Sequence, residues 1–119
     1  MSKAQFPYIR MRRIRQTDWV RRMVAETRLS VDDLIWPIFI RDGENEREPV
    51  TAMPGVDRLS IDLAVEAAKK AVDLGIPCMA LFPNTQPEKR TADGNEACNP
   101  ENLVCRATQA IKSAVPDIG

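Results

Sequence analysis

The sequence has no histidine, no long apolar run and only three cysteines among its 119 residues. Without histidine, and with Cys78, Cys98 and Cys105 spaced 20 and 7 residues apart, a zinc site is not expected. No apolar stretch approaches the ~20 residues that a membrane-spanning helix needs. No apolar signal segment follows the basic N-terminus, so we expect a cytoplasmic protein with free thiols. Glycine-rich phosphate loops, Gly-x-Ser-x-Gly motifs and nucleotide fingerprints are also missing.

The formal net charge of zero conceals an uneven distribution of charge. Residues 1–28 carry eight basic and two acidic side chains, whereas the remainder carries nine basic and fifteen acidic ones. This pattern predicts that a basic arm lies against an acidic surface, such as that of another copy of the chain. The arginines expected to make such contacts are Arg10, Arg12, Arg13 and Arg15. A solvated tail is the alternative, and nucleic-acid binding is disfavoured because no aromatic residues are interleaved with the arginines.

Caps and periodicity divide the chain into an arm at residues 1–28 and the beginning of a larger domain at residues 29–119. In the arm, Thr17 or Asp18 is predicted to cap a short helix. The domain is predicted to contain a strand at Leu34–Ile40, a helix opened by Ser60 and closed at Gly75, a strand at Cys78–Phe82 and a helix opened by Asn99 and Pro100. This β-α-β-α order predicts an α/β fold with parallel strands and right-handed crossovers.

The segments that follow the two predicted strands, residues 41–59 and 83–99, are long and polar. In parallel α/β folds, ligands bind among the loops at the carboxyl ends of the strands. Pro54-Gly55 is typical of a type II turn within the first loop. The acidic residues of that loop (Asp42, Glu44, Glu46 and Glu48) would suit a hard cation, but the neighbouring Arg41 and Arg47 favour a solvated loop.

A series of short motifs runs through the chain in a fixed order. They are Arg10–Arg15, Leu29–Phe39, Arg47–Val50, Met53–Val56, Leu74–Pro77, Ala80–Pro83, Pro87–Lys89, Asp93-Gly94 and Asn99–Glu101. In this order and spacing they resemble the N-terminal third of the porphobilinogen synthase family, also called δ-aminolevulinic acid dehydratase. The arginine-rich arm is most similar to the bacterial, magnesium-responsive branch of that family.

The resemblance implies a hydro-lyase that condenses two 5-aminolevulinate molecules into porphobilinogen, the pyrrole precursor of haem. It implies a TIM (β/α)8 barrel, of which this chain would supply the arm and the first two βα units. It also implies a homo-octamer in which the arm wraps a neighbouring subunit, and a requirement for Mg²⁺ or Zn²⁺, with Mg²⁺ favoured. The family's two Schiff-base lysines and its zinc-binding cysteines would lie beyond Gly119.

The lysines of this chain do not suit Schiff-base chemistry, which needs a strand end with an apolar pocket or a nearby cation. They are Lys3, Lys69, Lys70, Lys89 and Lys112, and none directly follows a predicted strand. We therefore expect no catalytic residue and no metal ligand in this chain, and an inactive N-terminal fragment of the enzyme. A non-catalytic oligomerisation or regulatory fragment that acts through its arm is the alternative.

Phe82 is the one candidate site residue outside the arm. It ends the second predicted strand, where the resemblance places a phenylalanine in the wall of the substrate pocket. Plain barrel core is the competing interpretation of this residue.

Overall fold

The computed structural model describes residues 9–10 and 12–119, which contain a four-stranded mixed sheet and two long helices. The helices and strands, in chain order, are α1 (Asp18–Met23), β1 (Ile35–Ile40), β2 (Arg47–Pro49), β3 (Asp57–Leu59), α2 (Ile61–Asp73), β4 (Cys78–Pro83) and α3 (Leu103–Ala114). The strand order in the sheet is β2-β3-β1-β4. No helix among these described residues is long and apolar enough to cross a membrane.

The parallel pairing of β1 with the edge strand β4 is the longest pairing in the sheet and confirms the predicted α/β arrangement. The two strands pair along their whole length, from Ile35 opposite Cys78 to Ile40 opposite Pro83. On its other side β1 pairs with β3 only at its last two residues. Pro37 therefore lies where β1 has a strand neighbour on one side, which is where a missing N–H donor is tolerated.

The segment of residues 41–59, expected to be a loop, contains a β-hairpin instead. Its strands β2 and β3 pair antiparallel over three residues each, and β3 joins the sheet parallel to β1. Each of these strands, Arg-Glu-Pro and Asp-Arg-Leu, is too short to show the alternation by which a strand is recognised. The turn within the hairpin is as predicted: the Val56 N–H donates to the Met53 carbonyl at 3.0 Å, and Gly55 has a φ of 83°.

The hydrophobic core lies between one face of the sheet and the two long helices. Its buried members are Ile38, Ile40, Ala64, Ala68, Ala71, Leu103, Ala107, Ile111 and Ile118. The face of α2 that enters this core consists of alanines, and small side chains let a helix approach its neighbours closely. Val72 and Ala114 lie exposed near the ends of their helices, outside this core.

The two long helices begin differently from what their sequences predict. Ser60 does occupy the N-cap position of α2, but its Oγ accepts the Glu46 N–H at 3.0 Å rather than an N–H of the helix. For α3, the N-cap is Asn102, whose Oδ1 accepts the Cys105 N–H at 2.8 Å. Asn99 instead accepts the Glu101 N–H, so the chain makes one turn before the helix begins.

The arm contains the predicted short helix, with Thr17 at its N-cap and ion pairs from Asp18 to Arg21 and Arg22. Its large apolar side chains are open to solvent: Met23 is 74% exposed and Leu29 79%. The radius of gyration is 22.4 Å, whereas a compact chain of this length would have about 14 Å. The arm therefore extends away from the sheet and helices, with apolar surface available for contact.

We expect residues 1–119 alone to be poorly soluble or molten, because the face of the sheet away from the helices exposes apolar side chains such as Ile35 and Phe82. The purified chain should bind the dye ANS and unfold without a sharp transition. A double substitution, Ile35→Thr with Phe82→Thr, should reduce ANS fluorescence to about half, whereas Met23→Thr in the arm should change it little. A sharp, cooperative thermal transition of the monomer would contradict this expectation.

Candidate functional site at the carboxyl ends of the strands

The sheet has one face covered by helices and one face without them, and the register assigns side chains to each. Because partners in a parallel ladder share a face, Phe39 and its partner Phe82 point to the same side. Ile38 and Ile40, on either side of Phe39, are buried against the helices. Phe39 and Phe82 therefore lie on the helix-free face, at the carboxyl ends of β1 and β4.

Phe82 is 48% exposed, and its ring contacts that of Phe39 with 5.6 Å between centroids and a tilt of 38°. The backbone just beyond it is also fixed, because the Asn84 N–H donates to the Ile40 carbonyl at 2.7 Å. Sequence reasoning identified Phe82 but missed Phe39. No signal within β1 alone marks Phe39, because its neighbours Ile38 and Ile40 are also apolar, and only the pairing with β4 shows that it shares a face with Phe82.

Several carboxylates of the first loop are paired with arginines. Arg41 contacts Glu46 at 3.0 Å and Glu48 at 2.7 Å, and Arg58 contacts the other oxygen of Glu48 at 2.6 Å. This network ties the end of β1 to the hairpin β2–β3. All of its side chains are partly exposed, so each pair contributes about 0–1 kcal/mol. The network agrees with the interpretation of this loop as a set of solvated ion pairs.

A cavity of about 290 Å³ lies between the end of β1, the segment after β4 and the start of α3. Its lining residues include Asp42, Pro83, Thr85, Lys89, Glu96 and Leu103. Asp42 forms an ion pair with Arg106 of α3, and Lys89 stands 4.0 Å from both Asp42 and Glu96. These contacts join the segment after β4 to the end of β1 through charges of both signs.

None of the described lysines has the surroundings of a Schiff-base nucleophile, which needs an apolar pocket or a neighbouring cation at a strand end. Lys89 is 42% exposed beside two carboxylates. Lys69 lies exposed on the surface of α2, and Lys70, although it borders an apolar cavity, lies exposed beside the start of β1 rather than its carboxyl end. Lys112 donates to the carbonyls of Pro116 and Ile118 just after α3. Lys3 lies outside the described residues.

The described residues do not fit a metal ion. Within residues 9–10 and 12–119, no group of three or more His, Cys, Asp or Glu side chains could hold one. Cys98 and Cys105 are exposed free thiols, and Cys78 lies partly buried in β4. Three carboxylates of the first loop, those of Asp42, Glu46 and Glu48, form ion pairs with arginines.

The predicted arm arginines lie on the surface of the extended arm. Arg10, Arg12, Arg13 and Arg15 are all exposed, and the last two belong to a short 3₁₀ turn that precedes α1. Arg21 donates to the carbonyl of Arg15 at 3.0 Å, which holds the turn beside the helix. The arm thus presents positive charge together with the exposed apolar side chains around α1.

Asp62 ties the first loop to the start of α2. The Asn45 N–H, at a residue with the unusual φ of 51°, donates to both carboxylate oxygens of Asp62 at 3.2 and 3.0 Å. The Ser60 hydroxyl, with the Asn45 N–H as a smaller contribution, lowers the pKa of Asp62 below its ordinary value. The helix N-terminus also favours a negative charge at this position.

Comparison with known proteins identifies the family. The family model described as delta-aminolevulinic acid dehydratase matches residues 8–119. The chain belongs to this family. It is 58% identical over 111 residues to the delta-aminolevulinic acid dehydratase of Bradyrhizobium diazoefficiens, and 48% identical over 113 residues to that of Synechocystis. These alignments cover 93% and 95% of this chain, but 31% and 34% of the two relatives.

A solved structure has the same fold. The crystal structure of delta-aminolevulinic acid dehydratase (porphobilinogen synthase) from Toxoplasma gondii, in complex with the reaction product porphobilinogen, matches with a TM-score of 0.81 and 34% identity. The match covers 92% of this chain and 32% of that structure. The chain therefore spans about a third of the length of the family members that it matches, and its small mixed sheet is a part of their fold.

The Asp62 contacts predict a pH-dependent contribution to stability. We expect Asp62→Asn to lower the melting temperature at pH 7 in a hybrid protein that carries residues 8–119 in place of the matched Bradyrhizobium segment. Because the pKa is lowered in the folded state, the stabilisation is fully present above the unfolded pKa of about 4 and is lost as pH falls through the lower folded pKa. The two melting temperatures should therefore converge under more acidic conditions.

Asp73→Asn is the matched control, because it removes the same charge from the opposite end of α2. A carboxylate near a helix C-terminus opposes the dipole, so this substitution should leave the melting temperature unchanged or slightly raise it. Equal losses for both variants would show that Asp62 acts only through overall charge.

Proposed function

We propose that this chain is the N-terminal part of a longer porphobilinogen synthase, called the parent enzyme below. The parent enzyme is a hydro-lyase that condenses two molecules of 5-aminolevulinate into porphobilinogen for haem and other tetrapyrroles. The observation that carries this proposal is the match of residues 8–119 of this chain to the family. The product complex of the Toxoplasma protein, which has the same fold over this segment, supports it further.

The chain supplies the arm and the first two βα units of a TIM barrel, with the helix-free face of the sheet turned toward the barrel interior. The free edge of β4 already forms backbone hydrogen bonds with the residue that would begin a further strand. The Gly119 N–H donates to the Pro77 carbonyl at 2.8 Å, and the Gly119 carbonyl accepts the Met79 N–H at 3.0 Å. These bonds have the spacing of a parallel ladder. They support continuation of the sheet beyond β4, as barrel closure requires.

Phe82 forms part of the apolar wall of the substrate pocket in this arrangement. Its position at the carboxyl end of β4, its exposure and its place on the helix-free face support this role over that of a buried core residue. The Schiff-base lysines come from other parts of the parent enzyme. The metal ion, Mg²⁺ in preference to Zn²⁺, is likewise held by residues outside this chain.

The parent enzyme is a cytoplasmic homo-octamer of the magnesium-responsive type, and the arm of one subunit packs against a neighbour. The exposed arginines and apolar side chains of the arm support this packing. The remainder of the chain carries an excess of six acidic residues, which gives the arm a surface of opposite charge. The charges fix the position and orientation of the arm on the neighbouring subunit, and the apolar contacts supply most of the free energy of this packing.

The decisive experiment isolates the protein from its source cells with an antibody against this chain. We expect an intact mass above the ~27 kDa of a bare barrel of about 250 residues, and formation of porphobilinogen from 5-aminolevulinate. Residues 1–119 produced alone should form no porphobilinogen, with or without added Mg²⁺, because they contain no suitable lysine. An isolated mass near 13.4 kDa would instead favour the non-catalytic oligomerisation or regulatory fragment.

The arm arginines make a separate prediction about assembly. Replacing Arg12, Arg13 and Arg15 together by glutamine in the parent enzyme should shift the octamer toward smaller species in light scattering after gel filtration. Replacing Arg21 and Arg22 is the control, because these two are already paired with Asp18 within the arm. An octamer that persists unchanged in the triple variant, at low salt and micromolar concentration, would contradict the role of the arginines.

A further inference from the structure

The ring of Phe39 lies beside that of Phe82 and is the less exposed of the two. The two residues are direct partners in the β1–β4 ladder, so their α carbons are held at a fixed separation. Their centroid distance of 5.6 Å and tilt of 38° fall in the range that aromatic pairs favour. Within residues 9–10 and 12–119, Phe39 provides the ring contact of Phe82.

The backbone around Phe82 is fixed independently of this ring contact. The ladder with β1 holds it on one side, and the Asn84 N–H donates to the Ile40 carbonyl immediately after the strand. What remains free at an exposed strand end is the side-chain torsion. With the ring of Phe39 on one side, the orientation of Phe82 that keeps both rings in contact is favoured over those that turn it toward solvent.

We propose that Phe39 is a positioning residue for substrate binding, which acts by holding the ring of Phe82 in the orientation that faces the substrate. This inference rests on the proposed function and adds to it a residue that lies beside Phe82 and supports it. The substrate portion concerned is the apolar one, the two adjacent methylene groups of 5-aminolevulinate. Charged ends of the substrate would be recognised elsewhere, since the helix-free face near Phe82 offers aromatic and aliphatic surface.

The test uses the parent enzyme with 5-aminolevulinate as the probe. Phe39→Leu should raise KM about 3- to 10-fold, the range expected from loss of one aromatic contact, with kcat changed less than about twofold. Phe82→Leu should raise KM at least as much. In the double variant the two effects should not multiply, because Phe39 acts through the ring that Phe82→Leu has removed.

Ile35→Val is the matched control, since Ile35 lies on the same strand and the same face as Phe39 but at the opposite end. It should leave KM unchanged even where it lowers the melting temperature. Phe39→Tyr, which keeps the ring, should retain the KM of the unaltered enzyme and so separates the ring contact from general core damage.

Three outcomes would overturn the inference. KM could stay unchanged in Phe39→Leu while the melting temperature falls, which would make Phe39 an ordinary packing residue. The two KM effects could multiply in the double variant, which would mean that Phe39 acts independently of Phe82. The unaltered parent enzyme could form no porphobilinogen at all, which would refute the proposed function itself. The activity of the unaltered enzyme therefore distinguishes this third outcome from the other two, in which that enzyme is active.

Discussion

The parallel pairing of β1 with β4 is the constraint on which the rest of this structure depends. Six consecutive residue pairs fix the relative height of the two strands, and thereby decide which side chains share a face. A shift of one residue in β1 would turn Ile38 and Ile40 away from the helices and bring Phe39 into the core. The burial of those two isoleucines is therefore also what places Phe39 and Phe82 together on the other face.

The helices reinforce this register because their buried faces are narrow. Ala64, Ala68 and Ala71 bring α2 close to the sheet, where the larger isoleucines of β1 fill the space between them. Ser60, buried at the start of α2, receives the Glu46 N–H and thereby connects the hairpin to this helix. This contact thus restrains the segment that joins β1 to α2.

The sequence predicts those parts of the structure in which a long periodic pattern decides the outcome. The strand at Leu34–Ile40, the opening of α2 at Ser60 and its stop at Gly75 are all confirmed within a residue or two. The hairpin β2–β3 escaped prediction because three-residue strands such as Arg47–Pro49 are stabilised by pairing with a neighbour rather than by their own pattern. The start of α3 was misplaced because Asn99 and Asn102 are both good caps, and tertiary contacts select between them.

The difference between patterns within one segment and contacts between segments also explains how much of the candidate site could be predicted. Phe82 was identified through its family resemblance, whereas Phe39 required the strand register, which no single strand contains. In a parallel barrel, catalytic groups are collected from the carboxyl ends of several strands, so two strands provide only a portion of the pocket. The described part of this chain contributes the aromatic pair at the carboxyl ends of β1 and β4, and a set of ion pairs in the segment after β1. In the parent enzyme proposed above, a lysine at the end of another strand would act as a nucleophile where an apolar pocket or a nearby cation favours its uncharged amine. Under that proposal the apolar wall that contains the aromatic pair would supply part of the environment that such a lysine needs.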